Sequence, residues 1–123
     1  MKPVAIYARV SSERQKEQET IASQTAALLE HAAQRQWTVP GEWQFLDEGY
    51  SGASLVRPAL DNLRDRVAEG QIDTVVVLSP DRLSRKYAYQ IVLTEEFHRH
   101  GAEVVFVKSP AATTPEEQLL AQV

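Results

Sequence analysis

Apolar residues along the chain fall into short runs that alternate with segments of helical periodicity. The runs at residues 4–10 and 72–78 are almost wholly apolar and rich in β-branched residues, which is typical of strands buried on both faces of a sheet. Shorter runs at residues 43–47 and 103–108 predict two further strands. The chain therefore predicts four strands.

Three segments between these strands predict helices. Residues 21–36 carry an apolar stripe at helical spacing, formed by Ile21, Thr25, Leu28, Leu29, Ala32 and Ala33. A second helix is predicted from Pro58 to Gly70, and a third over residues 87–100, because proline favours the first helical position and glycine the end. Strands that alternate with helices indicate an α/β fold: a mostly parallel sheet of four or more strands with helices on both faces.

Composition narrows the class of protein. The chain has 123 residues, of which 43% are hydrophobic and 24% charged, which suits one globular domain with a buried core. It has no cysteine, which excludes disulfides, thiolate nucleophiles and cysteine-bound metals. Its apolar runs are too short to span a bilayer, and its start lacks the apolar core of a signal peptide. We therefore expect a cytoplasmic protein with no membrane partner.

The end of the chain predicts a further helix. Residues 114–117 (TPEE) place a capping hydroxyl, a proline and two acids in the order of a helix start, only about two turns before Val123. We expect residues 1–112 to form one domain and residues 113–123 to begin a helix that leads to regions outside this chain. The net charge of −4 lacks the basic footprint of a nucleic-acid-binding protein, so positive charge must be concentrated locally or lie in those regions.

Polar residues converge where the predicted strands end. Ligands of parallel sheets bind beyond the carboxyl ends of the strands, above all where the strand order reverses. The residues at these ends, in chain order, are Arg9, Ser11, Ser12, Asp47, Arg57, Asp81, Arg82 and Arg85. If the first and third strands are neighbours, as in the flavodoxin-like order, Ser11 faces the same crevice as the Arg82/Arg85 pair.

These residue types suit phosphate chemistry. Arginine offers paired donors that match phosphate oxygens, and Arg82 and Arg85 would share one face if their segment turned helically. Ser11 is the natural nucleophile, with Ser12 as the competing hydroxyl, and nearby guanidiniums would stabilise a developing alkoxide. The three histidines fall within predicted helices and are interpreted as surface residues (His31, His98 and His100).

Four segments together resemble the catalytic domain of the serine site-specific recombinases, the group of resolvases, invertases and large serine integrases. The segments are residues 6–15 (IYARVSSERQ), 21–24 (IASQ), 47–60 (DEGYSG followed by RPAL at 57–60) and 81–85 (DRLSR). The matches run over nearly the whole chain in the family's order. The Ser23-Gln24 match and the Arg57-Pro58 pair favour the large type. The resemblance implies a resolvase-like sheet.

The resemblance also implies roles for individual residues. Ser11 would attack the scissile phosphate to give a 5′-phosphoserine link and a free 3′-hydroxyl. The phosphate oxygens would be held by Arg9, Arg57, Arg82 and Arg85, and the leaving oxygen would be protonated by Arg82 or Asp81. Gln15, Gln24 and Asp47 would support the site, with Asp47 either orienting an arginine or capping a strand end.

The resemblance implies double-stranded DNA as partner and a homodimer that assembles into a tetramer in the full-length protein. It implies neither a cofactor nor a metal, and the sequence has no phosphate-binding glycine loop of the Gly-x-x-x-x-Gly-Lys type. We expect the 123 residues alone to bind DNA poorly and to recombine nothing.

Three alternatives remain open from the residues themselves. A phosphatase or phosphotransferase could use the same arginine pocket on a small substrate. A receiver-like signalling domain would need acids at the end of the first strand, where Arg9 and Ser11 stand instead. A non-catalytic assembly domain would have no use for an intact serine beside several arginines.

Overall fold

The computed structural model describes residues 4–11 and 20–108 of the chain. Within that part it contains four strands and four α-helices. In chain order these are β1 (Val4–Val10), α1 (Ile21–Gln34), β2 (Gln44–Glu48), α2 (Pro58–Ala68), β3 (Thr74–Val77), α3 (Pro80–Leu83), α4 (Tyr87–Arg99) and β4 (Glu103–Phe106). A short 3₁₀ turn at Gly41–Trp43 leads into β2.

All four strands are parallel and lie in the order β2-β1-β3-β4. β1 is therefore central, with β2 on one side and β3 on the other. The register pairs Arg9 with Asp47 across β1 and β2, and Tyr7 with Val77 across β1 and β3. The predicted α/β fold is confirmed, as is the expectation that the first and third strands are neighbours.

Side chains of β1 alternate between two cores. Ala5 and Tyr7 pack in a cluster with buried residues of α2 and α4, whereas Val4, Ile6 and Ala8 pack with Leu28 of α1. All seven residues of β1 are buried, because helices cover both faces of the sheet. The same alternation places Arg9 on the face covered by α2 and α4.

No predicted boundary of these seven helices and strands differs from the observed one by more than two residues. α1 ends at Gln34 rather than at 36, and Gln36 takes a φ of 62° in the turn that follows. β3 and β4 are shorter than predicted. α3 was foreseen only as a conditional helical turn, and residues 114–117 lie outside the described part of the chain.

Residues 4–11 and 20–108 contain neither a membrane-spanning helix nor a cluster of metal ligands. No helix there is both long and apolar enough to cross a membrane. Nor do three or more histidine, aspartate or glutamate side chains group there in a way that could hold a metal ion.

Candidate active site

The candidate site lies at the carboxyl end of β1, where Ser11 directly follows the strand. Ser11 is 6% exposed. The loop after β2 is fastened to this strand end, because the main-chain amides of Gly49 and Tyr50 both donate to the carbonyl of Val10, with N–O distances of 2.8 and 3.2 Å. The chain between β2 and α2 is therefore held beside the nucleophile predicted from the sequence.

Arg9 is fully buried and is bound by main-chain carbonyls of the two neighbouring loops. Its Nη1 donates to the carbonyl of Tyr50 at 3.1 Å, in the loop after β2. Its Nη2 donates to the carbonyl of Asp81 at 2.8 Å and its Nε to that of Arg82 at 3.1 Å, both in α3. The Arg9 guanidinium thus connects the loop after β2 to the segment after β3 across the end of β1.

Arg82 returns a contact to Arg9. Its Nη1 donates to the Arg9 carbonyl at 3.4 Å, and its guanidinium lies 3.8 Å from the carboxylate of Asp81, measured from Nε to Oδ2. The Asp81 side chain is 60% exposed and accepts a hydrogen bond from the hydroxyl of Ser79. The Asp81 side chain is therefore largely exposed, whereas the Arg82 side chain, 12% exposed, contacts the end of β1.

Arg85 reaches the site in a way that the spacing argument did not foresee. The condition under which Arg82 and Arg85 would share a helical face is not met, because α3 ends at Leu83 and Ser84 is extended, with φ of −163°. Arg85 instead docks on the loop after β2, where its main-chain amide donates to the carbonyl of Gly52 at 2.8 Å. Its side chain is exposed, and its Cγ packs against Gly52 beside the Arg9 guanidinium.

Asp47 caps helix α2. Its carboxylate accepts from the amides of Ala59 and Leu60, at 2.9 Å to Oδ1 and 3.0 Å to Oδ2, which are the second and third residues of that helix. A carboxylate at a helix N-terminus is favoured both by the unpaired amides and by the helix dipole. It also accepts from the hydroxyl of Tyr7 at 2.8 Å. Asp47 therefore contacts Arg57 only through Tyr7. Of its two predicted roles, capping applies to the start of helix α2 and not to the end of a strand.

Arg57 is fully buried just before α2. Residues that precede proline favour an extended backbone, and Pro58 then begins the helix. The Arg57 Nε donates to the carbonyl of Ser54 at 2.9 Å, and Nη1 donates to the Tyr7 hydroxyl at 3.0 Å. The guanidinium lies 6.0 Å from the centre of the Tyr7 ring. Its Nη2 has no hydrogen-bond partner in the described part of the chain, which leaves one buried donor available to an anion.

Tyr7 is one residue of the candidate site that the sequence did not single out. Its hydroxyl donates to the carboxylate of Asp47 and accepts from the guanidinium of Arg57, so it connects these two side chains. Burial raises the pKa of Tyr7 well above its usual value of 10.0, and the neighbouring Arg57 only partly opposes this effect. The available signal was the strand alternation, since Tyr7 stands two residues before Arg9 and so faces the same side of the sheet.

Gln24 supports the strand end from the opposite face. It is fully buried in α1, and its Nε2 donates to the Arg9 carbonyl at 3.0 Å, while the Arg9 amide donates to its Oε1 at 3.4 Å. Its amide therefore satisfies both main-chain groups of Arg9. Gln15 and Ser12, the other polar residues of this region named from the sequence, lie outside the described residues.

The histidines lie away from these contacts. His31, in α1, contacts Arg35 and Trp37, and burial followed by the charge of Arg35 lowers its pKa. His98 is exposed and lies 2.9 Å from Glu103, measured from Nδ1 to Oε1. His100 is exposed at the end of α4.

The structure thus packs Arg9 and Arg85 against Gly52 of the loop after β2, and it joins Arg82 to Arg9 at the end of β1. Arg57 lies on the same face of the sheet, joined to β1 through Tyr7. Like-charged guanidiniums near one another repel, and an anion placed between them relieves the repulsion. The arrangement can therefore bind an anion and stabilise negative charge that develops next to Ser11.

Comparison with known proteins agrees with this geometry. Residues 4–123 match the family described as the resolvase N-terminal domain. The chain is 38% identical over 117 residues to a putative DNA recombinase of Bacillus subtilis (strain 168), a match that covers 94% of this chain and 22% of the relative. It is 36% identical over 107 residues to the transposon Tn3 resolvase of Escherichia coli, which covers 87% of this chain and 51% of that protein. This chain therefore spans about a fifth of the length of the first relative and about half of the second.

Solved structures give the same result. The N-terminal catalytic domain of TP901-1 integrase superposes with a TM-score of 0.76 at 33% identity, covering 86% of this chain and 77% of that one. The C-terminal catalytic domain of ISC1926 TnpA, an IS607-like serine recombinase, gives a TM-score of 0.75 at 28% identity, covering 98% and 78%. The resemblance found in the sequence is confirmed: the chain belongs to the resolvase N-terminal domain family and has the fold of a serine recombinase catalytic domain.

Proposed function

We propose that this chain is the catalytic domain of a site-specific DNA recombinase in which Ser11 cleaves and rejoins DNA phosphodiesters. The observation that carries the proposal is the joining of Arg9 and Arg82 at the end of β1, directly before Ser11. This contact supports the proposal, because it joins arginines from two neighbouring strand ends and one of them stands two residues before Ser11. The family match and the recombinases among the similar proteins support the same reaction.

In the proposed reaction the Ser11 oxygen attacks phosphorus and the bond from phosphorus to the 3′-oxygen breaks. The serine proton passes to a base, and the 3′-oxygen takes up a proton as it leaves. The product is a 5′-phosphoserine ester with a free 3′-hydroxyl, and the reverse attack by a 3′-hydroxyl rejoins the strand. Because the ester keeps the phosphodiester's energy, strand exchange consumes no nucleoside triphosphate.

Each arginine has a proposed part in this reaction. Arg82 and Arg85 are partly or largely exposed and would hold phosphate oxygens. Arg57 would donate from Nη2, and because its side chain is fully buried, DNA binding would have to expose this nitrogen. Arg9, bound to three carbonyls, would contribute mainly its charge and the placement of Arg82. Asp81 and Arg82 are the proposed proton donors to the leaving oxygen.

The proposed partner is double-stranded DNA, bound by a homodimer that pairs into a tetramer for strand exchange. Residues 1–112 would form the catalytic domain and residues 113–123 the start of a helix that connects it to dimerisation and DNA-binding parts. With a net charge of −4, the 123 residues alone should bind DNA weakly. The proposed location is the cytoplasm.

The test is to trap the covalent intermediate with the full-length recombinase that carries this chain. Its DNA site is first selected by binding from a random duplex library. A nicked version of that site then prevents rejoining, so that the protein–DNA ester accumulates. We expect a phosphodiester link to Ser11, identified by peptide mapping, with Ser11→Ala abolishing it and Ser12→Ala, the matched control, retaining it.

Two results would overturn the proposal. A link mapped to Ser12 would replace Ser11 as nucleophile. Turnover of a generic phosphomonoester that depends on Ser11, with no DNA ester formed, would assign the site to a phosphatase instead.

A further inference from the structure

The loop after β2 and the segment after α3 are joined by one main-chain carbonyl. The carbonyl of Gly52 accepts from the amide of Arg85 at 2.8 Å and from the Oγ of Ser84 at 3.1 Å. Both Gly52 and Ser84 are buried, and 32 residues of chain separate them. The contact therefore connects the loop that precedes Arg57 to the segment that carries Arg82 and Arg85.

Ser84 is held from several directions. While its hydroxyl donates to Gly52, it accepts from the amide of Lys86 at 3.2 Å, so the oxygen is both donor and acceptor. The Ser84 carbonyl accepts from the Nε2 of Gln90 in α4 at 2.7 Å. These bonds fix the extended backbone that ends α3 and so fix where the Arg85 side chain begins.

Gly52 leaves no room for a side chain. A Cβ placed there would lie 2.6 Å from Nη2 of Arg9, 2.9 Å from Cζ of Arg9 and 2.8 Å from Cγ of Arg85. The Arg9 guanidinium is bound to three carbonyls and so cannot easily move away. The φ of Gly52 is not in the left-handed region, so the requirement for glycine here comes from close approach to two arginines rather than from backbone conformation.

We propose that Gly52 and Ser84 form a latch that positions Arg85 and Arg82 for strand cleavage. The latch is defined by the Gly52 carbonyl, the Ser84 hydroxyl and the Arg85 amide. It closes the loop after β2 over the Arg9 guanidinium, so that the arginines that follow two different strands keep one relative placement. Gly52 and Ser84 touch no substrate in this proposal and act only through the arginines. The effect of the latch on strand cleavage rests on the function proposed above. The connection that the latch makes between the two segments does not.

Three variants of the full-length recombinase test the latch. Ser84→Ala removes the hydroxyl and leaves the Gly52 carbonyl with one donor. Gly52→Ala keeps every latch hydrogen-bonding group and pushes Arg9 and Arg85 apart. Thr94→Ala is the matched control, because its hydroxyl bonds only to carbonyls of its own helix, those of Gln90 and Ile91.

The measurements are affinity for the selected DNA site, the rate of ester formation with nicked DNA, and hydrogen exchange of the Arg85 amide by NMR. For Ser84→Ala and Gly52→Ala we expect affinity within about twofold of wild type and ester formation slowed about tenfold. A tenfold slowing is what loss of one hydrogen bond that positions a transition-state contact would cause. Arg85 exchange should accelerate in both, while amides of β1 and β3 exchange as in wild type. Thr94→Ala should match wild type throughout.

The latch is refuted if both variants form the ester at the wild-type rate, or if Arg85 exchange is unchanged in Ser84→Ala. It is also refuted if both variants melt far below Thr94→Ala with general loss of exchange protection, since the residues then hold the fold rather than the site. If wild type forms no ester at all, the proposed function fails by itself. Accelerated Arg85 exchange would then still support the latch as a structural connection.

Discussion

Arg9 and Arg82 bind each other by reciprocal hydrogen bonds from side chain to main chain. The Nε of Arg9 donates to the Arg82 carbonyl at 3.1 Å, and the Nη1 of Arg82 donates to the Arg9 carbonyl at 3.4 Å. Two guanidiniums of like charge are thus brought together by bonds to neutral acceptors. The fold holds this charge in place without a ligand, so in the proposed reaction phosphate binding need not organise these two arginines.

The first prediction concerns Arg9→Lys. Lysine keeps the charge but concentrates its donors on one nitrogen, so it cannot reach three separate carbonyls. We expect the free energy of unfolding to fall by about 2 kcal/mol, from the loss of charge-assisted hydrogen bonds. Denaturant unfolding of the 123-residue chain measures it. Arg99→Lys, at an exposed position of α4, is the control and should change stability by less than about 0.5 kcal/mol. Equal losses in the two variants would show that the Arg9 bonds contribute nothing.

The second prediction concerns the carboxylate that caps α2. Asp47→Asn places an amide where the carboxylate accepts from two helix amides and a hydroxyl. One oxygen can still accept, but the amide nitrogen then faces donors, so we expect a loss of about 2 kcal/mol in unfolding free energy. Asp61→Asn removes an exposed acid from the first turn of the same helix. Its expected loss is at most about 1 kcal/mol, the size of a surface helix-dipole effect. A larger loss at Asp61 than at Asp47 would contradict the cap.

The third prediction is a pH dependence from Tyr7. Its pKa is raised in the folded protein, chiefly by burial, so the folded state holds its proton more tightly than the unfolded state does. The stability that the protonated Tyr7 hydroxyl adds to the folded state is fully present below the pKa of tyrosine in the unfolded chain, near 10.0. It is lost as the pH rises above that value. Denaturant unfolding of wild type and Tyr7→Phe should therefore show a stability difference that shrinks above about pH 10. Tyr89→Phe, in α4, is the control, and a wild-type advantage over Tyr7→Phe that grows above that pH would refute the assignment.

The fourth prediction concerns a bidentate ion pair between α2 and α4. Arg64 donates to Glu96 from Nε at 2.8 Å and from Nη2 at 2.7 Å, beside a charged groove of about 560 Å³ between the two helices. The hydrogen bonds from Arg64 lower the pKa of Glu96, so this stability is present above the ordinary carboxyl pKa of 4.5 and is lost as the pH falls below it. Because both side chains are partly exposed, we expect a coupling energy of only about 0.5–1 kcal/mol at neutral pH.

A double-mutant cycle with Arg64→Met and Glu96→Gln measures that coupling. The matched cycle uses Arg66 and Glu69, an exposed pair at the carboxyl end of α2 joined by a single bond of 3.0 Å. Its coupling should be below about 0.5 kcal/mol. The prediction would be contradicted if the coupling energy of Arg64 with Glu96 were no larger than that of Arg66 with Glu69. It would also be contradicted if the coupling energy of Arg64 with Glu96 did not change between pH 7 and pH 3.

The sequence by itself determined the layers of this protein. Apolar runs and helical stripes are local patterns, and burying them leaves few arrangements other than a parallel sheet covered on both faces. These patterns predicted the four strands and three long helices of the described residues. They also predicted that Ser11 and the loops that carry the arginines lie at the carboxyl ends of the strands. Motif order then gave the family, because those motifs stand at strand ends whose position the pattern fixes.

Only the tertiary structure decided which polar groups meet. That Asp47 caps α2, that Tyr7 joins Asp47 to Arg57, and that Gly52 lies between Arg9 and Arg85 all depend on contacts between segments far apart in the chain. The Arg82 and Arg85 spacing suggested one helical face, but the hydrogen bonds of Ser84 end that helix early. Local periodicity reports which face of an element is buried, whereas a side chain's polar partner is set by three-dimensional packing and by the need to satisfy buried donors and acceptors.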